Sequence, residues 1–365
     1  MRIIFLIREE IDYSNVGASR FLYLSEVFKK NGFESVIVGL PSNKINPKFW
    51  GITTRIILVR RAIKEINRNE NNILFIREPI SHLLLYPIIK VYKINVFYDF
   101  HGYRWIEQKN LNQNIKSFFM KIVEKISLSI SDYIICISRG VLSQLNNSLQ
   151  KKALILENGV DLRIGEIEIK NNDVLKLQKK LLNKKVVGFV ADKKDWFNID
   201  ELINASSLLD REVIFLIIGG GYDAYMNNKY YNVMFLGRMK HNETMYILDN
   251  IISVAIVPYD VKWKYSNVKN YFSSRKVKEY LAAGKPIVMS DVKGKGDFLK
   301  VDQNILIYNS GDYKMLADKI NTLFNDKKLY AYIRKNNLDL AKNFSWEHLI
   351  EKSNILQIIG DCDGK

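Results

Sequence analysis

Short apolar runs alternate with helix-period segments along the whole chain. Residues 2–7 read RIIFLI and 34–40 read ESVIVGL, and between them 21–32 repeats apolar positions at the spacing of one helix face. Apolar runs at 73–77, 95–102 and 132–138 predict three more buried strands with helices between them, and 153–161 closes this half. Residues 162–184 then turn polar and charged, as expected of a linker and the helix that opens a second unit. The alternation restarts at 184–192 and continues through strands at 212–221, 232–237, 253–259, 285–291 and 304–309, with helices predicted at 198–209 and 242–250. Apolar strands joined by amphipathic crossovers predict parallel sheets covered on both faces, so the expected fold is α/β with two successive doubly wound halves.

Composition narrows the class. The 365 residues exceed one ordinary core, and 47% hydrophobic residues can fill two. Lys and Arg outnumber Asp and Glu by 55 to 39, a formal charge of +16. That excess points to an anionic partner, whether nucleic acid, a phosphorylated small molecule or an acidic membrane face, and a scattered lysine bias accounts for it equally well. Cys136 and Cys362 are too far apart for any ligand spacing, so neither a disulfide framework nor a zinc site is expected, and the compartment is expected to be reducing. The opening MRIIFLIREE lacks the apolar run of a signal peptide. LLLYPIIKVY at 83–92, broken by Pro87 and Lys90, falls short of the ~18 apolar residues of a membrane span. A cytoplasmic protein is expected, touching a membrane only at its surface.

Residues 273–288, SSRKVKEYLAAGKPIV, hold the densest chemistry. Ser273 and Ser274 offer an N-cap, Gly284 a C-cap and Pro286 a stop, which predicts a helix of about three turns. Val277, Tyr280 and Leu281 share its buried face, and Glu279 is expected on the opposite face beside Lys276, Ala282 and Ala283. There Glu279 is either half of an i, i+4 pair with Arg275 on a solvated surface, or an acceptor that the small residues leave open to a ligand.

Open α/β sheets bind ligands beyond the carboxyl ends of their strands. Gly17, in SNVGAS after the first strand, precedes a helix whose first N–H groups can meet an anion, and IIGGGYD at 217–223 is rich in glycine. Neither is a GxGxxG fingerprint and each serves equally as a turn, while no acidic residue of the first half is placed to receive a ribose, which counts against an NAD enzyme.

Taken in order, these segments resemble the retaining, family-four-like GT-B glycosyltransferases over nearly the whole chain. The quoted helix is similar to that family's K-x-x-E-Y-L-A-A-G-K-P donor segment, here Lys276, Glu279, Tyr280, Leu281, Ala282, Ala283, Gly284, Lys285 and Pro286. ENGVD at 157–161 resembles the passage into the second domain, NVMFLG at 232–237 and VAIVPY at 254–259 the strands around the nucleotide, and FSWEHLIEK at 344–352 the closing helix. The resemblance implies two Rossmann-like domains facing a cleft: 1–161 on the acceptor side, 162–343 binding the nucleotide sugar, and 344–365 crossing back to the first domain. It implies that Glu279 accepts from the donor ribose hydroxyls, for which a carboxylate with two charge-assisted acceptor oxygens is suited. Ser274 at the helix start, Lys276, Arg238 and Tyr280 complete the implied donor site, with Gly17 from the first half.

Two positions depart from the family pattern. Tyr271 stands where many relatives carry a glutamate near the donor sugar. The Arg and Lys that grip the diphosphate are missing from GFVADKKDWFNIDELINA at 188–205, a stretch similar to a W-F-D-like subgroup of envelope polysaccharide enzymes. Lys276, Arg238, Lys193 and Lys194 are the candidate replacements, Lys276 foremost, while a solvated loop is the preferred reading of Lys193 and Lys194. His101, in YDFHGYRW, falls where relatives place a histidine near the reaction centre, and it reads otherwise as a hydrogen-bonded core residue. Arg77 and Glu78 end another strand, as site residues or as a structural ion pair.

The resemblance implies transfer from a UDP- or GDP-sugar without bound cofactor or metal, the leaving phosphate helping to deprotonate the acceptor. Asp361 and Asp363 match the letters D-x-D but lie in the tail. A lipid-linked or polysaccharide acceptor in O-antigen or capsule assembly is implied, at the inner face of the cytoplasmic membrane. Residues 114–130, NIKSFFMKIVEKISLSI, combine Lys116, Lys121 and Lys125 with a nearly continuous apolar run, fit either for an anionic leaflet or for packing on the sheet with snorkelling lysines. The competing functions are a non-catalytic scaffold on a membrane or nucleic acid, against which the lack of clustered RNA-type aromatics counts, and a nucleotide-sugar epimerase or phosphorylase.

Overall fold

The computed structural model describes residues 1–363 other than 14–15, 41–50, 67–70, 111–112, 228–229, 263–267, 270 and 272. The apolar runs pair as two parallel six-stranded sheets. The first holds β1 (Arg2–Glu10), β2 (Glu34–Leu40), β3 (Asn72–Ile76), β4 (Asn95–Phe100), β5 (Tyr133–Cys136) and β6 (Ala153–Ile155), in the order β2-β1-β3-β4-β5-β6. The second holds β7 (Lys185–Val190), β8 (Val213–Ile218), β9 (Val233–Gly237), β10 (Val254–Val257), β11 (Ile287–Ser290) and β12 (Ile305–Tyr308), in the order β12-β11-β10-β7-β8-β9. The strand order reverses between β1 and β3 in one sheet and between β7 and β10 in the other. Such switch points open a crevice at the strand ends, because the connecting loops leave in opposite directions.

Register in the first sheet is locked by aromatic side chains. Phe5 pairs with Phe75, Phe75 with Phe97, and Phe97 with Tyr133. Their ring centroids lie 4.9, 4.9 and 4.6 Å apart, a ladder of contacts across four strands. A one-residue slip of any of these strands would throw its ring to the opposite face, so the ladder fixes where every strand ends. In the second sheet Val187, Phe189, Phe215, Ile217, Val254, Ile256, Val288 and Leu306 do the same work with branched chains and two rings, all buried.

The chain divides into two units, Met1–Asn158 with Trp346–Lys365, and Gly159–Ser345. Trp346, the first residue of the Trp346–Lys352 helix, stacks on Tyr23 at 5.5 Å, and Glu347 reaches Lys30 at 3.1 Å.

The predicted helix of about three turns is shorter in the structure. It runs Arg275–Ala282, about two turns. The Ser274 side chain accepts from the Val277 N–H, and at the far end Gly284 takes φ +61° while Lys285 N–H reaches back to the Tyr280 carbonyl at 2.9 Å. A Cβ on Gly284 would also sit 2.9 Å from Leu338, so both backbone and packing require glycine.

Candidate functional site

In the second unit the residues singled out converge on the β7/β10 switch point. Phe197, seven residues past β7, bridges Tyr259, two past β10, with stacked rings 5.4 Å apart. The Arg275–Ala282 helix lies against them, tied to β7 by the Val190 N–H, which donates to the Tyr280 hydroxyl at 2.9 Å. Tyr280 is fully buried, so it anchors the helix from the core side and presents no group to a ligand.

The outward placement of Glu279 needs correction. Val277 through Leu281 are all buried, and Glu279 keeps only 7% exposure. The i, i+4 pair with Arg275 does form, at 2.6 Å, but within the protein and not on a solvated face. Arg275 also contacts the His241 ring nitrogens at 3.0 and 3.2 Å. The carboxylate is therefore held in one orientation by a guanidinium that is itself held.

Lys276 is half-buried, its chain laid over aromatic rings. Its Nζ stands 3.6 Å from the centroid of the Phe197 ring and 5.0 Å from that of Phe189. Burial pulls its pKa down to about 7, against the opposing pull of the Glu279 and Asp192 carboxylates. An amine whose pKa is drawn so close to neutrality is poised to take up a proton when an anion arrives.

The glycine-rich loop has a packing explanation. Gly219, at φ +148°, passes so close to β7's exit that a Cβ would meet the Ala191 carbonyl at 1.9 Å. The Gly220 N–H donates to Asp192 at 2.7 Å, and the other Asp192 oxygen binds the exposed Arg238 at 2.7 Å. Asp192 thus sets Arg238 beside the loop. Lys193 and Lys194 are exposed, over the rings of Tyr225 and Trp196 at 4.9 and 5.9 Å. Tyr271 sits in a segment of which 263–267, 270 and 272 lie outside the described residues.

The first unit carries a second cluster at the ends of β1, β3 and β4. His101 follows β4 directly, and its Nε2 lies 2.8 Å from Asp99. Burial and the Arg77 cation push the His101 pKa down to about 4 despite Asp99, so the ring is neutral at pH 7. In that state Nε2 carries the proton given to Asp99, and Nδ1 is left as the basic lone pair. Burial alone would raise the Asp99 pKa, but Arg20, His101 and Arg77 outweigh it and hold the carboxyl below the usual range. Arg20 binds Asp99 at 3.1 Å and the carbonyls of Leu156 and Glu157 at 2.8 and 3.0 Å, which fixes the carboxylate that fixes the histidine.

Arg77 and Glu78 do not form the ion pair that was their structural alternative. Glu78 binds Arg55 at 2.9 Å and accepts from the Ser81 N–H at 2.6 Å, capping the Pro79–Val91 helix. Gly17 is the second residue of the Val16–Lys30 helix; Ser14 and Asn15 before it lie outside the described residues.

The Asn114–Ile130 helix turns mostly polar groups inward, with Leu128 the buried apolar residue, and leaves much of its apolar side exposed. Ser117, Glu124 and Ser127 face inward, Ser117 to the Trp105 carbonyl, Glu124 to the Arg104 and Trp105 N–H groups, and Ser127 to His82. Ile115, Phe118, Phe119, Ile122 and Ile126 are exposed, the first three by 77, 63 and 62%. Packing on the sheet with snorkelling lysines therefore does not describe it.

Sequence reading missed Asp99, Arg20, Asp192 and the ring of Phe197 beneath Lys276. Only Asp99 carried a signal, since residues two apart in a strand share a face and Asp99 and His101 are so spaced.

Residues 173–339 match the family described as glycosyl transferases group 1. An uncharacterized glycosyltransferase of Methanocaldococcus jannaschii is 27% identical over 232 residues, spanning 62% of this chain and 59% of that protein. Sucrose-phosphate synthase from Thermosynechococcus elongatus superposes with a TM-score of 0.76 at 14% identity, over 99% of this chain and 100% of that one. Anabaena HepE in complex with UDP and glucose gives 0.69 at 13% identity, over 99% of each chain. Both solved structures share the two-sheet fold.

Proposed function

We propose that this chain, a glycosyltransferase of the GT-B fold with its group 1 domain at residues 173–339, moves a sugar from a nucleoside-diphosphate sugar to a lipid-linked glycan acceptor. The reading extends to retention of anomeric configuration, independence of metal, and a place in surface polysaccharide assembly such as O-antigen or capsule. One observation carries it: at the β7/β10 switch point a buried carboxylate held by Arg275 and a desolvated Lys276 stand on the same short helix. A carboxylate suits the two ribose hydroxyls, and an under-hydrated ammonium suits the diphosphate. The complex of HepE with UDP and glucose supports a nucleotide-sugar donor for this fold.

Transfer requires stabilising the leaving diphosphate and holding the acceptor hydroxyl on the reacting face. In this reading Lys276, with Arg238 beside the glycine loop, takes the developing charge. His101 acts on the acceptor through Nδ1, its orientation set by Asp99 and Arg20, while the leaving phosphate assists removal of the acceptor proton. The exposed apolar stripe of the Asn114–Ile130 helix, with exposed Lys116, Lys121 and Lys125, supports a peripheral seat on an anionic leaflet, where a lipid-linked acceptor would be met.

The test is calorimetry with UDP and GDP followed by product analysis with their sugars and a glycan acceptor. Binding of one nucleotide and acceptor-dependent release of it are expected. Absence of binding to either, or turnover that needs inorganic phosphate, would overturn the assignment.

A further inference from the structure

The ends of β1 and β3 hold a group of arginines, one of which keeps open donors. Arg8, Arg20, Arg55, Arg77 and Arg104 act on one another here, with Glu9, Glu78, Asp99 and Glu124 among them. Asp99 is committed to Arg20 and Glu78 to Arg55. Glu124 accepts from the Arg104 and Trp105 N–H groups, and Glu9 accepts from the Ala18 N–H. Arg77 is the member of this group with open donors. Its Nε and Nη1 are buried and have no hydrogen-bond partner among the described residues. Burial, and then Arg104, lower its pKa, and the pKa of Arg8 falls through burial and Arg55.

A buried guanidinium with two idle donors is costly unless something occupies it. This one lies at the β1/β3 reversal, where an open parallel sheet opens its crevice, and two residues of β4's exit, Asp99 and His101, share its field. A guanidinium fork with Nε–H and Nη1–H donors open, reinforced by the neighbouring charge of Arg104, matches a group with several oxygens and more than one negative charge better than a single carboxylate.

We propose that Arg77, with Arg104 beside it, forms a phosphoryl-binding site in the first unit, and that it receives a phosphate carried by the acceptor. This rests on the glycosyl-transfer reading for the word acceptor; the anion site itself does not. The phosphate arrives either on a lipid carrier or on a soluble sugar, and the same site chemistry serves both.

The test uses the full chain saturated with UDP, so that any phosphate contact in the second unit is already filled. Inorganic phosphate is titrated into wild type, Arg77→Gln and Arg77→Lys, reading heat and Tm. Phosphate is expected to raise the Tm of wild type and to bind Arg77→Gln at least about tenfold more weakly, with Arg77→Lys between them because it keeps the charge and loses the fork. Without phosphate, Arg77→Gln is expected to melt above wild type, since it removes a buried charge with two donors unpartnered, whereas a purely structural arginine would leave a variant that melts lower. A phosphate response absent from wild type, or retained in full by Arg77→Gln and Arg77→Lys, overturns the site. Should Arg77→Gln not fold, Arg77→Lys and Arg104→Gln carry the same comparison. Glucose 6-phosphate and phosphatidylcholine vesicles with a polyprenyl phosphate then separate the soluble source from the lipid source. Failure of UDP to bind any variant would sink the donor assignment and leave the phosphate result standing.

Discussion

Nε of Arg275 lies 2.6 Å from Oε1 of Glu279, and both side chains are mostly removed from water. The pair makes the carboxylate rigid, and it makes replacement of either residue a structural event as well as a functional one. Glu279→Ala should weaken UDP binding by roughly 1.5–3 kcal/mol, the worth of hydrogen bonds to a charged group. It should also lower Tm, because Arg275 is left buried without its carboxylate. Calorimetry and thermal unfolding read the two effects separately, and UDP affinity equal to wild type would contradict the ribose role.

Lys276 predicts a proton linkage. Its folded pKa is about 7 against 10.5 for the free side chain, so near pH 8 the empty site is mostly neutral. A diphosphate placed beside it restores the charge, so UDP binding at pH 8 should take up a proton, at a pH above the phosphate's own ionisation. Calorimetry in two buffers of different ionisation enthalpy measures the uptake. Lys276→Ala should abolish it and should weaken UDP far more than uridine.

His101 makes stability depend on pH in a defined window. The unfolded imidazole titrates near 6.5 and the folded one near 4, so between these values the unfolded chain binds more protons. Stability is full above about pH 6.5 and is lost as pH falls towards 4. Buried His82, also pushed down to about 4, acts in the same direction. Thermal melts from pH 7.5 to 4 should show the loss, and His101→Ala should flatten it. The same variant should reduce kcat more than UDP affinity, and equal turnover would remove His101 from the chemistry.

The exposed stripe on the Asn114–Ile130 helix predicts salt-sensitive membrane binding. Co-sedimentation with anionic vesicles should be strong at low salt and should fall as salt screens Lys116, Lys121 and Lys125. Phe118→Ser with Phe119→Ser should weaken it by roughly 2 kcal/mol per ring. Protein remaining in the supernatant with anionic and neutral vesicles alike would argue for a soluble acceptor.

The strands were legible because parallel strands buried on both faces write themselves as uninterrupted apolar runs; IIFLI, ILFI and VIFLII need no partner to be recognised. Helix 275–282 was legible in its caps and not in its surroundings. A period of 3.6 separates Glu279 from Val277 and Tyr280, but whether the opposite side meets water or another layer depends on residues far off in sequence, here Phe197 and His241. The same distance hid Arg20, whose 79-residue separation from Asp99 no local pattern encodes. The 114–130 segment shows the converse: composition announced an amphipathic helix, but only the contacts of Ser117, Glu124 and Ser127 reveal which side is inward.

The return of the chain at Trp346 has a consequence for synthesis. Val160 N–H bonds the Phe344 carbonyl at 2.9 Å, so the second unit begins and ends at adjacent points, and it is threaded into the first like a long excursion. The indole of Trp346 stacks on Tyr23 and lies 5.8 Å from the Arg20 guanidinium, so part of the first unit's core is missing until the segment from Trp346 onward leaves the ribosome. The later unit can close on itself first, and the earlier one must wait with an open flank for its final helices. During translation, the half made first is therefore the half finished last.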